Sequence, residues 1–190
     1  GGKNQIVNTK KLGRDWLPGL LSGSEINRYL LSYGGGFILY DTDRLKSGFK
    51  DANYFEPKIF MRQTGDSLIA TYDKDGFLCL NNLHVGNLKD NKNDLRFILG
   101  CLNSKLINHY YHLISLELGR AMAQTDIETI EQLPIRSIDL SNPEDKKLYD
   151  DLVALVDRML ELKKPQEAQA KGSADWQDLE LEIKKTDAQI

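Results

Sequence analysis

The sequence predicts an α+β fold: a small mixed or antiparallel sheet with packed helices, followed by a C-terminal helical hairpin with coiled-coil-like spacing. Three observations carry this. Short apolar runs of strand length alternate with turn residues up to Leu88. Two capped, amphipathic helical patterns follow. A stripe of Leu and Met at steps of four and three then begins at Leu148.

The elements follow in order. Ser24 caps an expected short helix reaching Leu31. Phe37-Ile38-Leu39-Tyr40 reads as a strand closed by Asp41. Lys58-Ile59-Phe60-Met61-Arg62 is a strand that enters the turn Thr64-Gly65-Asp66. Leu68–Tyr72 and Phe77–Leu80 are joined by the Gly-ended loop Asp73-Lys74-Asp75-Gly76, and their spacing predicts a hairpin. Asn93 or Asp94 caps a helix with Leu95, Ile98, Leu99 and Leu102 on one face. Asn103-Ser104 breaks it and caps a second helix carrying Leu106, Ile107, Tyr110, Leu113 and Ile114. Thr125 and Glu128 have capping-box spacing, and Leu133-Pro134-Ile135 ends that turn as an extended exit.

Asn142-Pro143-Glu144 starts the tail, with Pro at the first helical turn. Leu148, Leu152, Leu155, Met159 and Leu162 form the stripe. Pro165 and Gly172-Ser173 interrupt it, and Trp176, Leu179, Ile183 and Ile190 resume it. An antiparallel helix pair follows from that break. The pattern meets Ile190 with no stop signal, which reads as a truncated hairpin. The expected division is a domain over 1–140 and a spacer or docking hairpin over 141–190. An ordinary hairpin packed on the domain fits the tail equally well.

A chain of 190 residues with 41% hydrophobic content can bury a core without staples. Two cysteines, Cys79 and Cys101, lack CxxC spacing and read as small core residues. No apolar run approaches the ~20 residues that span a bilayer. No secretory leader pattern is evident either, so the expected location is cytoplasmic and no membrane partner is expected. Net charge is −3, but it is unevenly spread. Residues 1–138 carry 17 Lys/Arg against 15 Asp/Glu, and residues 139–190 carry 8 against 13. The acidic tail disfavours contact with nucleic acid, whereas the near-neutral body can present a basic face.

GxSxG, the P-loop, HExxH and GxGxxG are absent from the sequence. Gly34-Gly35-Gly36 precedes a strand, where a phosphate loop would follow one. His84, His109 and His112 are scattered, and no metal site is expected from them.

One constellation stands out. Arg62, Gln63, Thr64, Asn81, Asn82 and His84 fall at the ends of expected strands. Arg reads guanine bidentately in the major groove, and Asn or Gln reads adenine the same way. These residues, with Gln124 in the Gly119–Gln124 loop, are candidates for base edges. Arg28, Lys58, Lys105 and Arg120 are candidates for phosphates. Asn and Gln at loop ends also commonly satisfy turn backbone, so both readings stay open.

Five blocks in order resemble the TaqI-like C-terminal specificity domain of adenine-specific DNA methyltransferases, including the bifunctional type IIG (Eco57I-like) restriction enzymes. They are Gly23-Ser24-Glu25-Ile26-Asn27-Arg28-Tyr29, Pro57 through Thr64, Cys79 through His84, Leu99 through Asn108, and Ile130 through Ile135. The resemblance covers about Leu20 to Ile138. It implies a target-recognition domain that binds a short duplex DNA sequence and presents it to a methyltransferase domain of the same polypeptide. That domain would use S-adenosylmethionine, and Mg would enter if a nuclease domain were present; neither cofactor would bind this chain. The Asn-Pro-Pro-aromatic motif of such catalysts is absent here. The fourth and fifth blocks also occur in type I restriction specificity subunits, so a fragment of such a subunit is the nearest alternative. A coiled-coil protein-interaction module is the alternative from another class.

Overall fold

A computed structural model describes residues 6–41, 44, 52–89, 93–120 and 123–190. Three small β units and five helices build the described part. Strands β1 (Val7–Asn8), β2 (Trp16–Leu20) and β5 (Phe37–Leu39) pair antiparallel. β8 (Leu78–Cys79) joins β2 in parallel, giving the order β1-β5-β2-β8. β3 (Ile26–Asn27) and β4 (Leu30–Leu31) form a minimal hairpin. β6 (Lys58–Arg62) lies between β7 (Ala70–Asp73) and β9 (Leu83–Gly86), antiparallel to both.

The β6 strand joins the two cores. Its residues alternate between them, as strand pleating requires. Ile59 and Met61 enter a cluster with the helices, and Phe60 enters a cluster with Leu20, Ile38, Leu78 and Leu83. α1 (Leu95–Asn103) is capped by Asp94, and α2 (Lys105–Ile114) by Ser104, whose hydroxyl accepts from Ile107 N. A short α3 (Ile127–Ile130) follows. The tail is α4 (Pro143–Ala168) and α5 (Ala174–Asp187), which pack on each other. Val156, Met159, Leu162 and Ile183 of this pair share one core with Leu99 and Ile107. The hairpin is therefore packed on the body through a shared core. Gly100 marks the contact: a Cβ there would meet Leu152 and Val156 at 2.9 Å.

Five local expectations are corrected. Residues 24–31 are not a helix. Ser22 caps a single 3-10 turn over Gly23–Glu25, and the chain then turns back through Arg28 and Tyr29, the latter at φ 62°. Glu25 supports this by accepting from Leu21, Ser22 and Gly34 main-chain N–H groups. β7 and β8 are not hairpin partners; the loop between them carries the chain from one sheet to the other. Asp126, not Thr125, caps α3, accepting from Thr129 N at 2.7 Å. Leu133-Pro134-Ile135 is not a strand. α4 runs through Pro165, where the ring removes one N–H close to the helix end.

Both cysteines serve packing. Burial pushes the Cys79 and Cys101 thiols up to about 11, far from a reactive thiolate. No helix among the described residues is long and apolar enough to cross a membrane.

Candidate functional site

The polar residues singled out by the sequence converge on one rim, where four chain segments meet at the end of β6. The segments are 22–27, 62–65, 80–84 and 123–126. Main-chain bonds knit them. Gln63 N donates to Asn82 O at 3.1 Å, and Gln63 O accepts from Thr125 N at 2.8 Å. Gly65 N donates to Ala123 O at 2.9 Å, and Thr64 bridges Gln124 in antiparallel register. Thr125, almost fully buried, adds its hydroxyl, which donates to Arg62 O at 2.5 Å and to Gln63 O at 3.1 Å.

Three of the candidate base readers brace this rim. The Arg62 guanidinium turns onto the neighbouring turn, where Nε donates to Gly23 O at 2.9 Å and Nη2 donates to Ile26 O at 2.6 Å. Nη2 also reaches Asn27 Oδ1 at 3.3 Å. His84 Nε2 lies 2.7 Å from Thr125 O, so that ring nitrogen carries the proton and donates. The surrounding donors and acceptors assign the Asn82 amide orientation: its oxygen faces Gly23 N at 2.8 Å and Ser22 N at 3.2 Å and accepts from both, and its nitrogen donates to Leu80 O at 3.1 Å. Gly23 sits among them: a Cβ there would meet Arg62 Cγ at 3.3 Å and Asn82 O at 3.5 Å. Each brace replaces water on a main-chain group with a fixed partner, so the loops carrying the other side chains are held in place.

Three of the remaining four candidates face outward. Thr64, Asn81 and Gln124 are exposed and Gln63 is half-buried. None of these four side chains forms a hydrogen bond among the described residues. They offer amide donors and acceptors and a hydroxyl, without formal charge.

The four candidate phosphate residues divide similarly. Lys58 is fully buried, 2.5 Å from Asp73 Oδ2 and 2.6 Å from Tyr54 O, with the Tyr54 and Phe60 rings nearby. It cannot reach a phosphate, and that expectation is corrected. The partner in sequence that decides this is Asp73, which pairs with Lys58 across the β6–β7 register. Arg28 is held by Asp187 at 2.5 Å and by Asn103 O at 2.7 Å, so it fastens α5 to the body. Lys105 is exposed at the first position of α2. Arg120 is exposed and pairs with Glu117 at 2.5 Å. Glu117 in turn accepts from Gln124 N at 3.3 Å, which puts Arg120 beside the rim. The cap Asp126 is held below the usual carboxylate range, chiefly by the Thr129 N–H. Ala121 and Met122 of the Gly119–Gln124 loop lie outside the described residues.

Two residues that matter here were missed in the sequence. Thr125 looked like a helix cap and is the central brace. Asn103 looked like a helix break; its buried amide pairs with both Ala70 N and Ala70 O. The block Leu-Asn-Ser at 102–104 held the signal for Asn103, since an amide on the last turn of an apolar helix needs a partner. His112 binds Asp66 O and Ser67 Oγ, fastening α2 to the turn after β6. Groups of three or more metal-ligating side chains are absent among the described residues.

A comparison with curated proteins returns no match. The model of the TaqI-like C-terminal specificity domain matches residues 19–135, a span that contains the whole rim and both helices beneath it. The chain therefore belongs to the TaqI-like C-terminal specificity domain family.

Proposed function

We propose that this chain recognises a specific short sequence of double-stranded DNA through the rim and presents it to a catalytic domain elsewhere in the same polypeptide. Family membership supports target recognition in a restriction-modification setting. The observation that carries the reading is the sorting of rim side chains: Arg62, Asn82 and His84 bind backbone, while Thr64, Asn81 and Gln124 face outward. A braced scaffold that fixes its outward side chains is what direct base readout requires, because misplaced donors lose bidentate geometry.

The partner domain in this reading is an adenine-specific methyltransferase, and S-adenosylmethionine binds there and not here. A type IIG enzyme, with a nuclease domain and its Mg, is the parent this reading favours, acting in the cytoplasm. Lys105 and Arg120 supply phosphate contacts that set register. The main alternative, a type I specificity subunit fragment, would give the same DNA contacts but act through separate methyltransferase chains.

The test is enrichment from a randomised duplex pool by the full-length protein at moderate salt. A defined motif among retained duplexes is expected. Retention without any motif would contradict the reading.

A further inference from the structure

We propose that Thr64 and Gln124 together read one A·T base pair in the major groove. This rests on the DNA-recognition reading above and assigns it to a particular pair of side chains.

Residues 63–65 and 123–125 form a short antiparallel ribbon. The bonds flanking the bridge are Thr125 N to Gln63 O and Gly65 N to Ala123 O. This arrangement makes Thr64 and Gln124 a non-hydrogen-bonded pair, the kind whose side chains lie closest, with Cβ atoms about 4.5–5.5 Å apart. The pleat sends both side chains to one face, and both are exposed. Gln63 and Thr125 fall on the opposite face, where Thr125 is buried. Of the polar candidates on the ribbon, Thr64 and Gln124 alone share its outer surface.

The ribbon is fixed at both strands. Gln63 N donates to Asn82 O, Thr125 Oγ1 donates to Arg62 O, and Glu117 Oε2 accepts from Gln124 N. The major groove is wide enough for a two-stranded ribbon. A glutamine amide there matches the adenine N6 donor and N7 acceptor at once, and a threonine methyl packs on the thymine methyl. Phosphate binding on the face of the ribbon is disfavoured, because its outward pair is uncharged and Asp66 and Asp126 follow the ribbon's two strands; Arg120, paired with Glu117 beside it, is left for the backbone. Glu117 is held by Arg120, Asp66 by Ser67 and Asp126 by Thr129. An uncharged pair in that setting fits a base edge better than the backbone.

The experiment repeats the duplex-pool enrichment with the full-length protein, its Gln124→Ala variant and its Gln124→Glu variant. Wild type should select a motif with at least one fixed A·T position. Gln124→Ala should open that position to all four bases, a loss of about 5- to 150-fold in discrimination, and leave other positions fixed. Gln124→Glu should move the preference there from adenine to cytosine, whose N4 amine donates to a carboxylate. Placing 7-deazaadenine at the position should weaken wild type and leave Gln124→Ala unchanged, since N7 is the acceptor removed. An unchanged motif for Gln124→Ala, or equal weakening on every sequence, would overturn the pair while leaving recognition standing. A wild-type pool without any motif would overturn both.

Discussion

Lys58 and Asp73 form an ion pair at 2.5 Å with both side chains withdrawn from solvent. They face each other across β6 and β7. Asp73 also accepts from Asp75 N and Phe77 N, and Lys58 donates to Tyr54 O, so the pair holds two loops as well as two strands. A buried charge left without its partner is costly. Lys58→Met should therefore destabilise the fold by about 3–5 kcal/mol, and Asp73→Asn added to it, which removes the unpaired charge and keeps an acceptor for the loop, should recover much of that loss. Urea unfolding of the single and double variants checks this. Lys58 should contribute nothing to the salt dependence of DNA binding. Lys105→Ala, by contrast, should lower the slope of log K against log salt by about one.

Arg62 braces the rim, so its loss should differ from loss of a base reader. Hydrogen bonds from a charged donor contribute about 1.5–3 kcal/mol. Arg62→Ala should destabilise the domain by about 2 kcal/mol in urea unfolding and blur the selected motif at several positions. Loss of preference at a single position would instead make Arg62 a direct reader.

Much of this organisation was legible in the sequence, and its gaps have physical causes. The caps Asp94 and Ser104 and the apolar face of α1 are local signals, and they fell where expected. The face of α2 did not: the helix turns Ile107 and Tyr111 inward and leaves Leu106, Tyr110 and Leu113 exposed. Clustering of Arg62, Asn82 and His84 was also legible, because strand ends carry the rim. Their orientation was not. Whether a guanidinium faces outward or caps a distant turn depends on Gly23 and Ile26, more than thirty residues earlier. Strand partners were hidden for the same reason. The runs at 68–72 and 77–80 had the spacing of a hairpin, but Leu78 gains a buried site beside β2 by leaving β7. Thr125 fitted a capping box, yet its hydroxyl had two carbonyl acceptors available across the rim.

Tyr29 sets a pH limit on the fold. Burial pushes its phenol up to about 12 from the ordinary 10, against a smaller opposing pull from the Arg28 cation. The folded state thus favours the protonated phenol. The stabilisation is complete below pH 10 and is lost as pH rises from 10 toward about 12. Tyr29→Phe should flatten the alkaline fall in stability, which urea midpoints taken at pH 9, about 10.5 and about 11.5 would register.

Arg28 and Asp187 fasten the end of α5 to the body. An acidic side chain at a helix C-terminus opposes the helix dipole, so the arginine offsets an unfavourable placement. Asp187→Asn should cost about 1 kcal/mol, modest because the pair is partly solvated. Hydrogen exchange should show the α5 amides losing protection before those of α1.

Central to the account is that rim side chains read base sequence while separate cations hold the backbone. The most direct measurement is the affinity of the full-length protein for its pool-selected duplex and for a scrambled duplex of equal length, over a range of salt. Two parallel lines of log K against log salt are predicted, separated by a constant gap of about 10³-fold or more. Superimposed lines, with all affinity arising from charge, would contradict it.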